Sequence, residues 1–268
     1  MRRLSIIIVS YNSARDLERC LGSLTRPAPA VDHEIVVVDN ASTDGTPAYV
    51  SEAWPGVRLI EPGGNVGFAK ANNIAIRDTW SELVLLLNPD TEVPAGAIDR
   101  LVDTIAARSE VAAVGPRIVD GTGRAELSFG SMISPLAELK QKLLVTGHDR
   151  SYPVIGALVE RMTRRSGDVD WVSGACLLAR RADIEAAGLL DERFFMYTED
   201  VDVCAAMRRR GRRILFTAAV EIRHLRGRSA ESAPQATAAA YRRSQIAFYE
   251  KHHPRWAPLL KQYLKIRR

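Results

Sequence analysis

Short runs of Val, Ile and Leu alternate with amphipathic stretches through the first half of the chain. Ser5–Val9, Glu34–Val38, Val57–Ile60 and Leu83–Leu87 are apolar at nearly every position, the pattern of strands buried on both faces. Between them, Asp16–Leu24, Pro47–Ala53, Gly67–Arg77 and Pro94–Ala107 carry helical spacing. In the last of these Ile98, Leu101, Val102 and Ile105 fall on one face. Thr46-Pro47 reads as an N-cap followed by a proline at the first helical position. The alternation predicts an α/β fold, a mostly parallel sheet covered by helices on both faces.

The second half is less regular. Gly121–Gly130 reads as a hairpin or loop, Ile133–Val145 as a short helix and Thr146–Gly167 as a mobile connection. Asp170–Ala179 reads as a strand, Thr198–Arg210 as a helix and Arg213–His224 as one or two strands. After a polar gap at Arg226–Ser232, Pro234–His252 and Pro258–Lys265 are basic helical stretches. The division this predicts is a main domain over residues 1–230 and a helical extension over 231–268, packed on or beside it.

Composition narrows the class. The 268 residues, 46% hydrophobic and 26% charged, suffice for one large core without staples, and exclude collagen, coiled coil and disulfide scaffold. Cys20, Cys176 and Cys204 have no C-x-x-C spacing and read as free, buried thiols of a reducing compartment. The run Leu4–Val9 breaks too soon for a signal sequence, and no run approaches the roughly 18 residues of a membrane span. A soluble protein is expected. The net charge of +5 hides an asymmetry: from Arg208 onward there are 16 Lys+Arg against 3 Asp+Glu. That end is suited to an anionic partner, with phosphate the first candidate. Nucleic acid is disfavoured, because the basic region lacks interleaved aromatics and any reading helix.

In such sheets ligands bind beyond the carboxyl ends of the strands. Here those ends are Ser10-Tyr11-Asn12, Asp39-Asn40-Ala41-Ser42, Glu61–Asn65 and Asn88-Pro89-Asp90. Asp39 is a turn residue or an acceptor for the imide N–H of a pyrimidine base. Gly63-Gly64-Asn65-Val66-Gly67 fits neither G-x-G-x-x-G nor a P-loop, yet a glycine loop feeding a helix suits a phosphate edge as well as a turn. Asn88-Pro89-Asp90 is an ordinary turn, or it holds a carboxylate for a divalent cation bridging to phosphates, with His224 a possible nitrogen ligand. Thr198-Glu199-Asp200-Val201-Asp202 fits a capped helix start. Its three carboxylates also repel one another, which moves one of them toward general-base duty. Arg226-Gly227-Arg228-Ser229 is a basic loop able to wrap a diphosphate, whereas Lys140, Lys142 and Arg150 are too scattered to interpret.

In order along the chain, Ser5–Asn12, Val38–Ser42, Asn65–Asn73, Leu87-Asn88-Pro89-Asp90-Thr91, Trp171–Ala175 and Glu199–Asp202 resemble the motifs of inverting family-2 glycosyltransferases. N-V-G-F-A-x-A-N-N and L-N-P-D-T look most like the rhamnosyltransferase branch. The resemblance implies the GT-A nucleotide-sugar fold, a nucleoside-diphosphate sugar donor such as dTDP-rhamnose, and a glycan or lipid-linked glycan acceptor. It implies that Asp39 contacts the base with Ser10 and Tyr11 beside it, and that Asp90 and His224 hold Mg²⁺ or Mn²⁺. Asp200 would be the general base, supported by Glu199. Asn65, Lys70, Asn88, Trp171, Gly174, Arg226 and Arg228 would complete the substrate surface. One departure is that Asn88 replaces the first carboxylate of the family's Asp-x-Asp metal motif. A UDP-sugar transferase of the same family is the nearest alternative; a nucleotidyltransferase or a non-catalytic binding protein on this fold is further away. The expected station is the cytoplasm or the inner face of the cell membrane. The basic C-terminal helices would rest on that membrane, on the catalytic domain or on a second subunit of a homodimer.

Overall fold

The computed structural model describes residues 3–225 and 234–266. Its first half follows the predicted alternation: β1 (Leu4–Ser10), α1 (Ala14–Thr25), β2 (His33–Asp39), α2 (Thr46–Ala53), β3 (Arg58–Ile60), α3 (Phe68–Arg77), β4 (Leu83–Leu87), β5 (Thr91–Glu92) and α4 (Ala97–Ala106). There follow β6 (Val111–Val119), β7 (Ala125–Glu126), β8 (Phe129–Gly130), α5 (Pro135–Asp149), α6 (Pro153–Thr163), β9 (Gly167–Val169), β10 (Trp171–Val172) and β11 (Cys176–Arg180). The chain continues through α7 (Arg181–Ala186), α8 (Glu199–Arg209), β12 (Arg213–His224), α9 (Pro234–His252) and α10 (Ala257–Ile266).

The main sheet runs β3-β2-β1-β4-β11-β6-β12-β5. β1, β2, β3 and β4 are parallel, as are β6 and β12, while β11 is antiparallel to both β4 and β6. Every residue of β1 and β4 is buried, and the two-residue alternation of a strand divides them between two cores. Ile6 and Ile8 face Leu17, Leu21 and Leu101 on one side; Ile7 and Val9 face Ala71, Ile76, Met207 and Phe248 on the other. Cys20, Cys176 and Cys204 are free and buried within these layers, and burial pushes the Cys20 and Cys204 thiols up to about 12.

The structure departs from the sequence pattern at four places. Thr46 is not an N-cap: Gly45, with φ +86°, occupies that position and Asp44 Oδ1 accepts the Thr46 N–H at 3.1 Å. β6 is not announced by its sequence, because Gly115-Pro116 interrupts it. The strand survives because β12 shifts register between Thr217 and Glu221, opposite that proline, which has no N–H to offer. Gly115 is required there, since a Cβ would meet Val172 Cβ at 2.6 Å. Asp170–Ala179 is two strands, broken at Ser173-Gly174-Ala175. Finally, 146–167 is no loose connection but contains α6. Ser134 Oγ caps α5 by accepting the Ala137 N–H, prolines open both helices, and Arg117 Nη2 donates to both Glu160 oxygens at 2.7 and 2.9 Å.

The basic stretch α9 is seated on the main body. Phe248 is fully buried, and Ser244 Oγ donates to the Met196 carbonyl at 2.6 Å. Lys251 Nζ bridges Asp191 and Asp202 at 2.7 and 2.8 Å, and His252 Nε2 lies 2.6 Å from Asp202 Oδ1. Among the described residues no helix is long and apolar enough to cross a membrane. Removing the Phe248 ring is expected to cost about 3–5 kcal/mol in urea unfolding of Phe248→Ala. A loss below about 1 kcal/mol would instead show that α9 is a loose appendage.

Candidate active site

The carboxyl ends of β1, β2 and β4 meet the amino end of β11 along one edge of the sheet, and a chain of contacts links the candidate residues there. β1 and β2 end in register at Ser10 and Asp39, and the Asn40 N–H returns to the Ser10 carbonyl at 2.8 Å. Asp39 is buried and accepts twice from Ser42, from N–H at 2.8 Å and from Oγ at 2.6 Å. It is therefore a turn residue whatever else it does, with one face of each oxygen left over. Ser10 is buried and its hydroxyl is engaged with Ser13 Oγ at 2.8 Å; Tyr11 beside it is exposed. Asn12, at φ +50°, accepts the Thr43 N–H on Oδ1 and so ties the two strand ends together.

Asn40 carries the contact onward. Its amide accepts from Val66 N–H and donates to the Gly67 carbonyl. Gly67 has φ +84°, and a Cβ there would meet the Phe195 carbonyl oxygen at 2.5 Å. That closeness lets the Phe68 N–H, the first of α3, donate to the same oxygen at 2.7 Å. The Gly67 end of the glycine loop is thus a docking point for Phe195, while Gly63 and Gly64 face open space. Asn65 Oδ1 accepts the Gly67 N–H at 3.1 Å, while Asn65 and Lys70 are both exposed. Asn73 is internal, pairing with Leu190 N–H and carbonyl and with Glu192.

Beyond Phe195, Tyr197 and Thr198 both adopt left-handed φ, +70° and +69°, before α8 starts. Thr198 is not the side-chain cap its sequence suggests, since its hydroxyl turns back to the Tyr197 carbonyl. The strained turn delivers Asp200 to Gly174, whose N–H donates to Oδ2 at 2.8 Å, while the Val201 N–H donates to Oδ1 at 2.8 Å. Burial raises the Asp200 pKa, and the backbone donors pull against that rise. Glu199 is buried with Oε2 unpartnered among the described residues. Burial, then repulsion from Asp200, holds its pKa well above the ordinary value. Asp202, the third acid of the cluster, is committed to Lys251 and His252 and takes no part in the site.

The break between β10 and β11 also meets β4. The Asn88 N–H donates to the Ala175 carbonyl at 3.0 Å, and the Asn88 amide lies 3.3 Å from His224 Nε2. His224 Nε2–H donates to Asp90 Oδ1 at 3.0 Å, and Nδ1 faces Glu126 Oε2 at 3.4 Å. Burial opposes charge on this ring, but the two carboxylates outweigh it and push the pKa up to about 9. Glu126 is a residue the sequence does not flag; only the pairing of β7 with β6 brings it to His224. Among the described residues no three His, Cys, Asp or Glu side chains are arranged around a metal position. Asp90 Oδ1 and His224 Nε2 nevertheless fit a small divalent cation that displaces the Nε2 proton, since atoms 3.0 Å apart can serve as adjacent ligands with bonds of about 2.1 Å.

Two expectations change. Trp171 is buried and its indole N–H is donated to the Ser131 carbonyl at 2.9 Å, so it holds the 128–131 segment. Gly174 acts through its backbone, as the donor to Asp200. Arg226 and Arg228 lie outside the described residues.

A model of "Glycosyl transferase family 2" matches residues 5–170. An N-acetylglucosaminyl-diphospho-decaprenol L-rhamnosyltransferase of Mycobacterium tuberculosis is 32% identical over 96% of this chain and 87% of its own. A low-salt glycan biosynthesis hexosyltransferase of Haloferax volcanii is 31% identical over 77% of this chain and 62% of its own. Among solved structures, a mannosyltransferase from Pyrobaculum calidifontis in complex with GDP-Man and Mn²⁺ superposes with a TM-score of 0.65 at 22% identity, over 97% of this chain and 68% of that one. At that identity the likeness is one of fold, the GT-A arrangement that the motifs implied. With Asp39 and Asp90 at its strand ends, Asp200 brought to Gly174 from α8, and a family match over more than half the residues, this chain is a member of glycosyl transferase family 2.

Proposed function

We propose that the enzyme transfers L-rhamnose from a nucleoside-diphosphate donor, dTDP-rhamnose, to a hydroxyl of a lipid-linked glycan, with inversion at the anomeric carbon. The observation that carries the mechanism is the Asp200 carboxylate. It is anchored by the Gly174 N–H, raised in pKa by burial, and set on the same rim as Asp39 and Asp90. Each Asp200 oxygen receives one backbone N–H and keeps a lone pair, so the group is oriented without being used up. Asp200 takes the proton of the acceptor hydroxyl as its oxygen attacks the anomeric carbon. The bond from that carbon to the diphosphate oxygen breaks, and the electron pair leaves with the nucleoside diphosphate. One displacement inverts the centre, and no covalent nucleophile is needed.

Asp39 would receive the imide N–H of the pyrimidine on the carboxylate face that Ser42 leaves open. Asp90 and His224 would hold Mg²⁺ or Mn²⁺, which when bound stabilises negative charge on the departing diphosphate. A single carboxylate with an imidazole suits an ion whose other positions go to phosphate and water. Support for the donor and acceptor comes from the mycobacterial relative's rhamnosyl and diphospho-decaprenol specificity, and for the ion from the Mn²⁺ complexes among the fold's solved members. The nearest alternative donor is a UDP-sugar.

Asp200→Asn should lower turnover by about 10²–10⁴-fold and leave donor affinity intact, measured by nucleotide release and calorimetry. Full turnover would remove Asp200 from the reaction. Asp90→Ala should abolish the dependence of donor binding on divalent cation; an unchanged calorimetric response to the ion would contradict its place there. Glu199 is read as the neutral neighbour that keeps Asp200 the charged member of the pair. Its raised pKa means the folded chain holds that proton more tightly than the unfolded chain. The stability so gained is complete below the ordinary carboxylate value and lost as pH rises toward the raised one. Glu199→Gln should therefore melt at or above the wild-type temperature at neutral pH and show a flatter stability profile from acid to neutral. An unchanged profile would overturn the reading.

A further inference from the structure

Lys140, Lys142 and Arg150, uninterpretable as sequence, fall on the helical hairpin α5–α6, which is planted between β8 and β9 beside the Asp200 rim. Gly130 and Trp171 pair at its base, three residues from the N–H that holds Asp200. The hairpin sorts its charges. Of the three acids in 135–165, Glu138 is turned to α9, accepting from Gln245 Nε2 at 2.7 Å and from the Tyr249 hydroxyl. Glu160 is turned to Arg117 at 2.7 Å. Only Asp149 stands among the exposed residues, against Lys140, Lys142, Arg150, Arg161 and Arg165, with Arg164 also exposed but paired with Glu160.

The hairpin also exposes aliphatic side chains. Leu136, Leu139 and Leu143 are 81%, 56% and 62% exposed, and on α6 Val154 is 82% exposed. Leu136, Leu139 and Leu143 recur at the spacing of a single helix face, and Lys140 and Lys142 stand on its two sides. An aliphatic crest flanked by cations is the arrangement of a helix that lies in a membrane interface. Protein interfaces instead deplete lysine. A second copy is also a poor occupant, since a twofold contact would set this cationic face against itself.

We propose that the outer face of α5–α6 docks on an anionic lipid bilayer, with the leucine crest in the headgroup boundary and the cations on lipid phosphates. The surface stands on its own contacts and does not depend on which donor or acceptor the enzyme uses. It lies beside the rim that contains Asp200, so a bilayer held there would present a membrane-borne acceptor at the level of the site.

Flotation of the full chain with vesicles of phosphatidylcholine, with and without phosphatidylglycerol, tests this. Wild type should bind the phosphatidylglycerol-containing vesicles and be released by high salt. The double variants Leu139→Asp/Leu143→Asp and Lys140→Glu/Lys142→Glu should each weaken binding by about tenfold or more. All these side chains are exposed, so melting temperature and nucleotide affinity should stay at wild-type values, separating lost docking from lost folding. Absence of binding to anionic vesicles, or binding that both double variants retain, would overturn the proposal. Self-association in sedimentation that the same variants abolish would also overturn it, by giving the face to a second copy.

Discussion

The arrangement of the site depends on one hydrogen bond, from the Gly174 N–H to Asp200 Oδ2. The N–H is available because β11 enters the sheet antiparallel to β4 and β6, so its amino end, not its carboxyl end, lies beside Asn88. A parallel strand in that slot would present its carboxyl end there. Ser173-Gly174-Ala175 breaks the strand, and its backbone then faces both ways. The Ala175 carbonyl receives β4's outgoing chain, and the Gly174 N–H receives α8's incoming acid. A Cβ at 174 would meet Asp200 Cβ and the Phe68 ring only at ordinary contact distance, 3.5 Å, so it is the backbone N–H of this residue that the site uses.

Three acids within one helical turn would ordinarily repel one another and destabilise the turn. Here each meets a different environment. Asp202 pairs with Lys251 and lies against His252 Nε2, Glu199 is pushed toward its neutral form, and Asp200 keeps two backbone donors. The divergence follows from helical geometry. Positions 199, 200 and 202 point to different sides of α8, so one packs inward, one reaches the sheet edge and one meets α9. The proposed catalytic carboxylate and the anchor of the C-terminal helix are thus neighbours on one turn, which couples the seating of α9 to the position of the proposed base.

Much of this was legible in the residues, and what was not has physical causes. Buried parallel strands such as Ile6–Val9 and Leu83–Leu87 announce themselves because both faces are apolar, and the polar tripeptides after them mark the ligand edge. β6 was hidden by Gly115-Pro116, whose tolerance depends on a bulge in a strand about a hundred residues later. Glu126 gave no signal because its partner, His224, is brought to it only by sheet pairing. Trp171 and Asn73 belong to motifs that resemble a substrate site, yet their polar atoms hold loops in place. A motif read as one functional unit is here a mixture of groups that face the cleft and groups that keep those in position.

Charge is where counting and placement diverge most. The C-terminal stretch has by far the larger excess of Lys and Arg, which marks it as the anion-seeking end. Yet Lys251 is spent on Asp191 and Asp202, Arg212 on Asp183, Arg213 on Asp168, and Lys261 on Glu250. The hairpin of α5 and α6 has a modest excess, but its inward acids bind the protein, and among the described residues its outward cations form no ion pair except Arg164 with Glu160. A long-range field depends on net charge, whereas a docking surface depends on which charges remain uncompensated beside exposed apolar area. By that measure the hairpin next to the site carries a surface that its residue count does not announce, while around α10 the same measure singles out Arg255 and Lys265 beside exposed Trp256, Leu259 and Tyr263 and passes over the cations already paired.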